Sequence, residues 1–161
     1  MCKIMLFPLF FGDLSRYSII FFYSHVNEPG RTQWEGFATA TQAAAASGIT
    51  CIVDMPLNSI PPTTTVANFQ TKLEAARGKS FVDIAFWGGV VPRNKSELRP
   101  LIDKGVKGFK CFLMESGVQE FPCVTLEQAH AALQEIKGQK TVLLFHAELD
   151  IPPAITVISQ V

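Results

Sequence analysis

Lys110 interrupts the apolar run GVKGFKCFL. Period-2 strand geometry places it on one face with Val106, Gly108 and Phe112, and in a barrel that face can be the interior. A buried ammonium without a partner is costly, so such a lysine snorkels to water, finds a counter-charge or is chemically altered. From the residue alone three readings stay open. It can be a solvated strand-end lysine, or a Schiff-base nucleophile whose pKa desolvation depresses. It can also be a lysine that carbon dioxide converts to a carbamate, whose two oxygens bridge a pair of metal ions. His25 and His146 favour the last, because neutral imidazoles are ligands for zinc-like ions. His130 lies inside an amphipathic stretch and reads as structural or solvated.

The elements that must position these groups follow from hydrophobic patterning. Apolar runs at Ile19–Tyr23, Ile49–Met55, Phe81–Trp87, Val106–Met114 and Thr141–Phe145 read as strands, with helical stretches between them. An Ala-rich stretch from Thr32 to Ser47 ends at Gly48. Phe69, Leu73 and Ala76 form a stripe before Gly78. Asn94 with Glu97 has cap spacing ahead of Leu98, Leu101 and Ile102, and Thr125 with Gln128 reads as a capping box before Leu126, Ala129, Leu133 and Ile136. Strands this continuously apolar are buried on both faces. The predicted fold class is α/β, a barrel or a doubly wound sheet; about four to five βα units make only part of a closed eight-stranded barrel of about 250 residues, so either the sheet stays open or the chain is incomplete. Ligands gather at the C-terminal ends of such strands, where His25, Asp54, Asn58, Trp87, Lys110, His146 and Glu148 fall.

Composition narrows the partners. The 161 residues are 48% hydrophobic, with fourteen basic and fourteen acidic side chains and zero formal net charge. That leaves no electrostatic footprint for nucleic acid. Cys2, Cys51, Cys111 and Cys123 form no C-x-x-C pair and read as reduced thiols, which points to a cytoplasmic or organelle-matrix setting. Residues 1–24 form an apolar leader, but Asp13 and Arg16 interrupt it and no small-residue cleavage site follows. It falls short of the roughly 20 unbroken apolar residues of a membrane span.

The segments HVNEPGRTQWEGF (25–37), GITCIVDMPLNSIPPTT (48–64), FVDIAFWGGVVP (81–92), GVKGFKCFLMESGVQEFP (105–122) and LLFHAEL (143–149) closely resemble the allantoinase family, grouped with dihydroorotases and hydantoinases among the amidohydrolases. The resemblance implies a partial (β/α)8 TIM barrel of the metal-dependent amidohydrolase type, about four to five βα units and not closed, from a hydrolase that opens the cyclic amide of allantoin to allantoate, a step of purine breakdown. It implies two metal ions, usually zinc, that activate a bridging hydroxide, and members that are often homo-oligomers. It makes Lys110 the carbamylated lysine, His25 and His146 metal ligands, and Asn58 and Asn27 substrate-facing. Arg31 lies in the same first loop as Asn27, while Asp54 and Glu148 read as structural partners of the loops.

The chain departs from the family pattern at its first strand. The family carries an H-x-H pair there, and two residues before His25 this chain has Tyr23; Phe21 takes the place of the acidic residue usual before that pair. Beyond Leu149 the resemblance stops, and the family's later metal-binding His and catalytic Asp would lie further on, so no catalytic residue is assigned. The expected organisation is a non-homologous leader at 1–24, a partial barrel at 25–149 and a divergent tail at 150–161. The alternative to an active allantoinase is a catalytically inactive truncated or spliced fragment.

Overall fold

The computed structural model describes residues 20–146. Glu148, Cys2, most of the leader and the whole tail lie outside the described residues. Five parallel strands, β1 (Ile20–Ser24), β2 (Cys51–Asp54), β3 (Asp83–Gly89), β4 (Gly108–Phe112) and β5 (Leu143–His146), pair in chain order as one open sheet. Between them run α1 (Phe37–Ala46), α2 (Val66–Ala76), α3 (Leu98–Asp103) and α4 (Leu126–Ile136). This is the open half-barrel expected of four to five βα units. The seven-residue β3 joins its halves: Asp83–Phe86 pairs with β2, and Trp87–Gly89 pairs with β4. Such stagger between neighbours is what curls a sheet toward a barrel.

Alternation along the strands divides the core in two. Ile52, Ile84, Phe86, Phe109 and Cys111 pack with Phe37, Phe69, Leu98, Leu101 and Ala129, so every helix covers the same outer face. Val53, Met55, Ala85, Trp87, Phe112 and Phe121 build the inner face, with Leu144 against them. Phe109 and Phe112, on opposite faces of one strand, show why these strands read as continuous apolar runs.

Helix ends largely follow the local sequence. Thr125 accepts from Gln128 N at 3.2 Å and Gln128 Oε1 accepts from Thr125 N at 2.9 Å, the reciprocal box expected. Thr65 caps α2 by accepting from Asn68 N. Two expectations are corrected. The Ala-rich helix begins at Phe37 and not near Thr32, because Trp34 N donates to Arg31 O and Asn27 N to Glu35 O, which closes that stretch into a turn. Glu28 Oε2 then accepts from Phe37 N, doing the capping that Gly36 cannot. Asn94 makes no side-chain cap: its Nδ2 donates to Thr64 O and Gly89 O, and its Oδ1 accepts from Val91 N. The carbonyls of Gly89, at the end of β3, and of Thr64, in the loop before α2, need donors, and that demand outweighs capping. Val106 also sits before β4 and packs on the outer face, not with Lys110.

Candidate functional site

Register places Lys110 and His146 on one face. Lys110 pairs across to Leu144, and Phe112 to His146, so all four side chains stand on the inner side of β4 and β5. The Phe112 ring touches both candidates. Its centroid is 5.2 Å from Lys110 Nζ, and it stacks on the His146 imidazole at 4.9 Å. Lys110 is buried and forms no ion pair among the described residues. Burial alone draws its amine below the usual lysine range, with the neighbouring Cys111 thiol pulling weakly the other way.

His25 follows directly on β1, half-buried. Burial lowers its pKa, and the positive charges of Lys72 and Lys110 lower it further, so the imidazole is neutral near pH 7. The Asn58 side-chain amide meets His25 Nδ1 at 3.2 Å. With Nδ2 donating, the ring proton sits on Nε2; with the amide turned over, Oδ1 accepts from Nδ1–H and Nε2 offers its lone pair. Tyr23 lies beside His25, rings edge to face at 5.2 Å, and is more than half exposed.

The loops beyond the strands are tied together around this rim. Arg31 Nη1 donates to Asn58 O at 2.7 Å and to Glu120 Oε1, and its guanidinium lies 4.8 Å over the Trp34 ring. Asn58 holds its backbone at φ 72°, a left-handed conformation that Asn tolerates. The Arg31 hydrogen bond holds the Glu120 carboxyl below its ordinary value. Asn27 is buried, with its main chain bonded to Glu35 and Arg31, while its side-chain Oδ1 has no hydrogen-bond partner among the described residues. Trp87 is a core residue of the inner face.

Asp54 is fully buried against Lys72, Nζ to Oδ2 2.7 Å. Burial pushes its carboxyl up, against the pull of Lys72 and of the Val26 and Met55 amides. Lys72 went unremarked in the sequence although a signal was present: it lies three residues after Phe69 and four before Ala76, on the buried stripe of α2. Glu120 carried no such signal, since its partner is 89 residues away.

Among the described residues no group of three or more His, Cys, Asp or Glu could hold a metal ion. The candidate donors are two imidazoles and one lysine. No helix among those residues is long and apolar enough to cross a membrane.

A half-barrel of parallel strands with imidazoles and a buried lysine at its inner rim is the framework of a barrel hydrolase, and comparison bears on which kind. A profile of the Amidohydrolase family matches residues 7–157, and the chain belongs to that family, whose members are generally metal-dependent. Within it the sequence is allantoinase-like: 65% identical over 127 residues to the mitochondrial allantoinase of Aquarana catesbeiana, and 57% over 125 residues to the allantoinase of Saccharomyces cerevisiae. These alignments cover 79% and 78% of this chain but 26% and 27% of the relatives, so the chain spans about a quarter of their length. An L-hydantoinase (dihydropyrimidinase) from Arthrobacter aurescens superposes with a TM-score of 0.75 at 32% identity, covering 82% of this chain and 29% of that one.

Proposed function

We propose that these residues form the front part of an allantoinase, a metal-dependent hydrolase that opens the cyclic amide of allantoin to give allantoate. The observation that carries this reading is the placement of Lys110 and His146 on one face of neighbouring strands, both against the Phe112 ring. Lys110, with its lowered pKa and no carboxylate beside it among the described residues, suits conversion to a carbamate, which replaces a costly buried cation with an anionic ligand. That carbamate, His25 and His146 would then hold zinc in a binuclear centre completed by donors from the later strands. When bound, the metal would supply a polarised carbonyl and an activated water.

The chain's own residues do the binding and orienting. His25 stays neutral, held by Asn58. Asn27 Oδ1, buried and unpaired, suits an amide N–H of a ureide ring, because a buried acceptor gains most from a donor. Asn58 is the second substrate-facing residue. The barrel portion would begin with β1 at Ile20, not at residue 25, and run to residue 149. A homo-oligomeric assembly, in the cytosol or an organelle matrix, accompanies this reading; the amphibian relative's name includes the word mitochondrial.

The test is a chimera in which residues 25–146 replace the corresponding segment of the yeast allantoinase. Allantoate formation is expected, with loss of activity in the Lys110→Ala form. A folded, metal-loaded chimera that ignores allantoin but opens hydantoin rings would overturn the substrate assignment. Retention of activity by Lys110→Ala would overturn the site.

A further inference from the structure

Behind the inner face lies a charge pair that the proposed reaction does not use. Lys72, from the middle of α2, and Asp54, the last residue of β2, meet at 2.7 Å with 0% of either side chain exposed. Both also grip a third residue. Val26 N donates to Asp54 Oδ1 at 2.6 Å, and Lys72 Nζ donates to Val26 O at 2.8 Å. The Lys72 ammonium further lies 5.6 Å over the ring of Phe37, at the start of α1.

A buried ion pair is a poor means of stabilising a core. Removing both charges from water commonly costs as much as their attraction returns, and apolar residues of equal volume often serve as well or better. What such a pair does provide is direction, because charge-assisted hydrogen bonds are short and geometrically demanding. Here both are aimed at the main chain of one residue, just past the point where β1 leaves the sheet. Ser24 is the last residue of β1 paired to β2, so among the described residues the main chain of Val26 has no strand ladder to hold it. His25 is the residue between that last ladder position and the clamp.

We infer that the Asp54–Lys72 pair is a positioning device: it holds Val26 from both its N–H and its C=O, and so sets the His25 imidazole against Asn58 on the inner rim. This rests on reading His25 as a site residue. Asp54 and Lys72 act through Val26 and touch no reacting atom.

The experiment replaces the charges with apolar volume in the full chain, Asp54→Leu with Lys72→Met. It compares Val26 amide exchange, and the nuclear Overhauser contact between the Asn58 side-chain amide and the His25 ring, with the parent. Exchange at Val26 is expected to accelerate roughly 100-fold while the Phe109 amide in β4 keeps its protection, and the His25–Asn58 contact is expected to vanish. A folded double variant with Val26 still protected and the contact intact would overturn the inference. A gentler variant, Asp54→Asn with Lys72→Met, keeps an acceptor for Val26 N and loses the partner of Val26 O. It is expected to show a smaller acceleration and a weakened contact. If neither variant folds, the pair belongs to core stability and the positioning role is lost. These readouts need no metal. A separate zinc titration of the parent therefore tests the metal reading without touching this one.

Discussion

The imidazole of His146 lies stacked on the ring of Phe112, centroids 4.9 Å apart and planes 15° apart. The two are register partners on neighbouring strands, so the stack fixes His146 from the side while the sheet fixes it from below. Phe112 also meets Phe121 edge to face at 5.8 Å and is 8% exposed. Phe112→Ala should therefore cost about 3–5 kcal/mol, measured by urea unfolding. A loss well under 1 kcal/mol would mean that the inner face is not packed as described.

Lys110 should take up carbon dioxide. Its lowered pKa enlarges the fraction of neutral amine at a given pH, and the amine attacks carbon dioxide to form the N–C bond of a carbamate with release of one proton. Incubation with ¹³C-bicarbonate should give a carbamate carbon resonance that Lys110→Ala removes. Because a proton is released, the signal should weaken as pH falls. A resonance that persists in Lys110→Ala would assign the carbamate elsewhere.

The Arg31–Glu120 contact predicts an acid-side loss of stability. Glu120 has a folded-state pKa depressed from 4.5, chiefly by its hydrogen bond to Arg31. A depressed carboxyl contributes stability that is full above the unfolded value and is lost as pH falls through the folded one. Glu120→Gln should lower stability at neutral pH by on the order of 1 kcal/mol and flatten the fall of Tm below 4.5. An unchanged acid limb in the variant would show that the contact carries no linked proton.

Much of the framework was legible because it rests on local rules. The five strands fall within or beside the apolar runs, and the Thr125–Gln128 box forms as spaced. β2 and β4 are shorter than their runs, and Ile49 and Met55, for example, pack in the core from loop positions on either side of β2. What stayed hidden depends on groups far apart in the chain. Asn94 has cap spacing, yet carbonyls of Thr64 and Gly89 claim its side chain. Asp54 reads as a loop partner, and its counter-charge turns out to be a helix lysine. The face of Lys110 could be read from parity. The ring that both it and His146 meet could not, because that depends on the register of β4 against β5.

Gly108 should resist substitution. A Cβ at that position would stand 2.0 Å from Trp87 Cζ3, and the ring is buried on the inner face. A rigid indole in a packed layer cannot move aside cheaply, so Gly108→Ala should cost about 1–3 kcal/mol through overpacking. Pairing it with Trp87→Phe should recover part of that loss. Chemical denaturation of the two variants and their combination checks this, and additive losses would show that the ring is not the obstacle.

By the family resemblance Tyr23 takes the place of the first imidazole of an H-x-H pair, and its ring meets that of His25 edge to face. A phenol is a bulkier and poorer ligand for a zinc-like ion than an imidazole, which offers a neutral lone pair. A zinc ion generally wants at least three protein donors, and on the proposed reading His25, just past this strand, would be its one donor from here. Tyr23→His should therefore tighten zinc binding by the full chain at least about tenfold, equivalent to about 1.4 kcal/mol. The gain should depend on His25. Competition against a chromophoric chelator measures it in four proteins: the parent, Tyr23→His, His25→Ala and the double variant. If Tyr23→His tightens binding equally with and without His25, the two positions do not share a metal, and the first strand has been assigned to the wrong role. If the gain vanishes in the double variant, the two rings act on one ion, and Tyr23 is the point at which this chain's metal centre has been weakened.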